Sequence, residues 1–81
     1  MADHSTITPA MLRTARLGIG LTRPELAELA GCHHKTVQGY EAREALPDRA
    51  PARRIVAALR RKGVTFGARN VTIATAPPDS A

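Results

Sequence analysis

Apolar residues recur at Leu12, Ala15 and Ile19, three and four positions apart, with Arg16 inside the same row. That spacing predicts a helix with one buried face and places a guanidinium among its apolar groups. Thr8 followed by Pro9 marks its start. A hydroxyl there accepts from a first-turn amide, and proline loses nothing where its missing donor would be unpaired anyway. A second start follows in "TRPELAELAG". Thr22 serves as cap, Pro24 sits in the first turn, Glu25 and Glu28 complement the positive helix end, and Gly31 closes the helix in a left-handed conformation. At about two turns this helix is too short to stand alone, so it must pack through Leu26, Ala27 and Ala30.

A third helix is predicted from His33 or His34 to about Ala42. At about 100° per residue from His34, Gln38 falls at about 40°, Ala42 at about 80° and Lys35 at about 100°. Tyr40, Val37 and Glu41 fall at about 240°, 300° and 340°. Polar tips and packing groups therefore separate. Val37 and Tyr40 anchor the helix, and Glu41, at the edge of the buried side, is the natural partner for Arg16. Two helices joined by so few residues through a glycine form a helix-turn-helix unit.

"DRAPARRIVAALRRKG" reads as a fourth helix, with Asp48 as its cap and Gly63 as its stop. Ala52, Ile55, Val56 and Leu59 share one side; Arg53, Arg54, Arg60 and Arg61 share the other. The plain reading of that arginine row is a solvated face whose terminal charges suit the helix dipole, and the other is a flanking phosphate contact. After Gly63 the period changes. Val64, Phe66, Val71 and Ile73 lie in two short alternating stretches around "GARN", expected to form a hairpin or a strand that adds to another chain's edge. Because an isolated two-stranded hairpin is marginal in water, these four residues are expected to support a homodimer. The expected layout is a tail over 1–8, a helical domain over 9–63, a β segment over 64–74 and a second tail over 75–81.

Composition narrows the partners. With 81 residues the chain makes one domain, and a fold of this size buries only about 60% of its unfolded surface. Twelve Lys and Arg against seven Asp and Glu give a formal charge of +5, and all the basic residues but Arg69 fall between Arg13 and Lys62. Such an excess on the folded part favours a polyanion, nucleic acid before membrane. One cysteine, no signal-like start and no apolar run of about 18 residues point to a cytoplasmic protein without a membrane span.

Cys32, His33 and His34 invite a chemical reading. Three consecutive residues do not easily converge on one metal, and no second ligand pair stands at a zinc spacing, so no metal or cofactor is expected. A cysteine nucleophile would need a base and an oxyanion site that the chain does not offer, so no catalytic residue is assigned and no enzyme is expected.

The stretch "LRTARLGIGLTRPELAELAGCHHKTVQGYEAREALP" resembles the DNA-binding domain of the Cro and lambda-repressor (XRE) family of prokaryotic regulators, over about residues 10–62. The matching features are Arg16, "GLT" at Gly20 to Thr22, "LAELAG" at Leu26 to Gly31, Val37, Glu41, and "LP" at Leu46 and Pro47. His33, where Ser or Thr is usual, and Gly39, where a side chain is usual, depart from the pattern. The resemblance implies a lambda-repressor-like, mainly α fold of four helices, here with a short C-terminal β-strand or hairpin. It implies base contacts from His34, Lys35, Gln38 and Gly39, phosphate contacts from Thr22, Arg23, His33, Thr36 and Arg43, and a structural ion pair between Arg16 and Glu41. The function so implied is sequence-specific binding of double-stranded DNA by a dimeric repressor or activator at a palindromic operator. The alternative is an antitoxin-like module that holds a protein partner and also binds its own promoter. An RNA-binding module is disfavoured, since Tyr40 and Phe66, the only aromatics, look committed to packing.

Overall fold

The computed structural model describes residues 7–67 and 70–73. Four helices precede a small antiparallel hairpin: α1 (Pro9–Gly18), α2 (Arg23–Ala30), α3 (His34–Glu41), α4 (Ala50–Arg61), β1 (Val64–Phe66) and β2 (Val71–Ile73). Most of the expected first tail, the whole of the second and residue 74 of the expected β segment lie outside the described residues.

Local chemistry sets the helix ends much as the sequence implies. The Thr8 hydroxyl accepts from the Met11 amide at 3.2 Å, with Pro9 first in α1. Thr22 accepts from the Glu25 amide while the Glu25 carboxylate takes the Thr22 amide at 2.8 Å, a reciprocal box that satisfies two amides at once. These bonds hold the Glu25 carboxyl below its usual range, the Thr22 backbone amide contributing most. Glu28, expected to support the same end, instead lies in the last turn. Gly31 ends α2 at φ 72°, and the Cys32 amide reaches back to the Ala27 carbonyl at 2.9 Å. A Cβ is strained at that φ, so glycine is the residue that lets α3 follow immediately.

One core joins the elements. Leu12, Ala15, Leu26, Val37, Ala52, Ile55 and Leu59 are essentially sealed from solvent, and Leu46 closes the loop before α4. Ile7, expected in the polar tail, is also buried, at 2% exposure. It precedes the Thr8 cap, and with Leu12 it holds the two positions of a hydrophobic staple, so the cap that starts α1 also fixes the chain before it.

One expectation for α4 fails. Its cap position is Arg49, with no side-chain cap bond, because Asp48 pairs instead with Arg53 at 2.5 Å. The arginine row is exposed, as its plain reading has it, and it also makes contacts within the chain. Arg54 donates to the Ala30 carbonyl at 3.2 Å and Arg61 to the Leu29 carbonyl at 3.1 Å, while Arg60 lies over the Phe66 ring at 5.9 Å. The last carbonyls of α2 have no partner within their own helix, and α4 supplies two donors to them.

The hairpin pairs within the chain, Val64 with Ile73 and Phe66 with Val71. Val64 and Phe66 are buried in the core, and Val71 and Ile73 pack partly against it. The apolar support expected from a second copy is thus supplied by the chain's own helices. The close fit shows at Gly18, where an added Cβ would stand 2.1 Å from the Ile73 Cδ1.

Candidate functional site

The site is the outer face of α3, and its position depends on the charges behind it. The Glu41 side chain is only 2% exposed. It accepts from Arg16 Nε at 2.7 Å and Nη2 at 3.2 Å, and from Arg23 Nε at 3.1 Å. Arg16 is buried as well and spends its Nη1 on the Leu21 carbonyl at 2.9 Å. The Arg16–Glu41 pair expected from the sequence is therefore present, with every side-chain bond pointing inward. Sequence reasoning missed the share taken by Arg23. Helical angles rank positions around one helix and say nothing of a residue in the first turn of another. Two guanidinium groups around one carboxylate leave one positive charge over, and Arg23, with a side chain 40% exposed, carries it to the surface.

The start of α3 is capped by a ring. The Lys35 amide donates to Nδ1 of His33 at 3.1 Å, so the imidazole fills the role of the usual hydroxyl. This geometry requires the tautomer with its proton on Nε2. The His34 ring stacks on it at 4.4 Å between centroids.

Around the helix the two sides separate. Val37 and Tyr40 are buried, whereas His34, Lys35, Gln38 and Gly39 are exposed. Among the described residues, no side-chain hydrogen bond or ion pair engages Lys35 or Gln38. Thr36 is half-buried; Arg43 is exposed, with its guanidinium 5.7 Å from the Tyr40 ring centre. Thr22 is exposed at the start of α2, its hydroxyl already accepting the cap bond. Val64, Phe66, Val71 and Ile73 lie apart from this face, in and against the core.

Cys32 sits in the turn between α2 and α3 and packs against the core. Burial pushes its thiol up, with Arg54 opposing more weakly, so the neutral thiol is favoured near pH 7. Among the described residues no group of three or more His, Cys, Asp or Glu is arranged to hold a metal ion. No helix among them is long and apolar enough to cross a membrane. The outer face of α3 thus carries exposed hydrogen-bonding tips and positive charge, with Val37, Tyr40 and Glu41 packed behind it.

No protein-family model matches the chain, and no curated protein matches it significantly.

Proposed function

We propose that this chain is a sequence-specific double-stranded DNA-binding protein, a transcriptional regulator whose α2 and α3 act as a helix-turn-helix of the Cro and lambda-repressor type. One observation carries the reading. The His34, Lys35 and Gln38 edge of α3 is exposed, with no hydrogen bond or ion pair to the Lys35 or Gln38 side chain among the described residues, while Val37, Tyr40 and the Glu41 carboxylate fix the helix from behind. An α-helix about 10–12 Å across fits a major groove about 12 Å wide, where each base pair shows a distinct pattern of donors and acceptors. Arg23, Arg43 and the net positive charge supply the salt-sensitive attraction to phosphates, and the polar edge supplies discrimination. The setting is a prokaryotic cytoplasm. A homodimer would place two such helices about 34 Å apart and read a palindromic operator.

Selection of bound duplexes from a random pool, followed by sequencing, tests this directly. An enriched palindrome with half-sites one helical turn apart is the expected result. A pool that stays random after several rounds in dilute buffer would remove the proposal.

A further inference from the structure

A hollow of about 230 Å³ opens on the flank of α3, lined by Lys35, Thr36, Gly39, Tyr40 and Arg43. It exists because position 39 has no side chain. A Cβ built there meets nothing within 4 Å, so the floor is bare backbone and the space above it is open. Lys35 and Arg43 stand four residues to either side and place a cation at each end. Thr36 and Tyr40 complete the lining. Tyr40 is only 7% exposed, yet no buried polar atom among the described residues lacks a partner and the phenol makes no internal bond, so its oxygen opens to solvent. Half-buried Thr36 lies beside it in the lining, and the Arg43 guanidinium stands over the Tyr40 ring.

We infer that this hollow is a seat for a single phosphodiester group of the nucleic-acid backbone, an inference that rests on the DNA-binding reading above and deepens it. Two basic side chains and two hydroxyl-bearing residues around exposed backbone suit a compact anion with several acceptor oxygens. Placement on the helix favours a phosphate over a base edge. Lys35, Gly39, Thr36 and Tyr40 run from about 100° to 240° around the axis, whereas His34 and Gln38 lie between about 0° and 40°. If His34 and Gln38 face the groove floor, a helix that nearly fills the groove turns this flank to the phosphate wall. Lys35 and Gly39 thereby leave base reading, where family resemblance puts them, and join Thr36 and Arg43 in fixing the register of the helix along the backbone.

The test is an amide-resolved NMR titration of the full chain with inorganic phosphate, against sodium chloride at matched ionic strength. The Thr36, Gly39 and Tyr40 signals should move saturably with phosphate alone. Gly39→Leu, which fills the hollow and leaves both cations, should weaken that binding by about tenfold or more. The same variant should melt no lower than the parent, since leucine is the better helix former. On duplex DNA, Gly39→Leu should lower the slope of log K against log salt by about 0.9, the share of one phosphate. Lys35→Ala should weaken every duplex alike, whereas Gln38→Ala should change base preference. Equal shifts with chloride, phosphate affinity unchanged in Gly39→Leu, or a base-specific effect of Lys35→Ala would each overturn the seat. Saturable, Gly39-dependent phosphate binding by a chain that binds no duplex would uphold the seat and remove the DNA reading, so the two failures are distinguishable.

Discussion

The arginines of α4 and the polar edge of α3 look alike in the sequence, as charged or hydrogen-bonding groups at helical spacing on the outer side of a helix. Their surroundings differ. Arg53 is held by Asp48, Arg54 and Arg61 by the end of α2, and Arg60 lies over Phe66, so each of the four has a place inside the chain. Lys35 and Gln38 have none among the described residues. A basic row is thus a poor guide to a binding face until its partners are known. The arginines that repeat most regularly make contacts within the chain while remaining exposed, whereas the Lys35 and Gln38 side chains make no hydrogen bond or ion pair among the described residues.

Removing the charge behind α3 should have the largest effect. Glu41→Ala leaves Arg16 buried without its counter-charge and should cost roughly 3–5 kcal/mol by chemical denaturation. A loss below about 1 kcal/mol would mean that the pair does not anchor the helix. On the α4 side, Arg54→Ala with Arg61→Ala frees two α2 carbonyls and should cost about 1–2 kcal/mol together, since both bonds are partly or fully exposed. Unchanged stability with a steep drop in duplex affinity would invert the comparison and make those arginines the binding face. Gln38→Ala should move stability by no more than about 0.5 kcal/mol. Its effect belongs in binding, with discrimination at one base pair falling by about 1–3 kcal/mol in competition against single-mismatch duplexes.

The smallest expected effect is that of pH on the α2 cap. The folded Glu25 carboxyl gives up its proton more readily than in the open chain, so its contribution is full above the ordinary value of 4.5 and disappears as pH falls through the lowered one. Glu25→Gln should flatten the melting temperature against pH across that acid range and lower it slightly near pH 7, where the charged carboxylate of the parent contributes in full. A parent profile that remains steep in the variant would assign the acid sensitivity to another carboxyl.

Much of this was legible from sequence because it depends on neighbours along the chain. Thr8 with Pro9, Thr22 with Glu25, and Gly31 each act within one turn, where spacing fixes geometry. The Arg16–Glu41 pair was legible for a related reason, since an arginine in an apolar row must find a counter-charge, and the third helix offers one carboxylate at the margin of its buried side.

Other contacts between elements were not legible. The sequence determined which residues start α1 and α2 and stop α2, which faces turn inward, and that α3 keeps its polar edge out, because helical periodicity and capping are local. Only tertiary structure decided that Arg23 shares Glu41, that Arg54 and Arg61 close α2, that Ile7 belongs to the core, and that the hairpin rests on its own helices. Each of these joins groups from separate elements, and the angle and distance between elements are set by how all the faces pack together, which no single stretch of chain encodes.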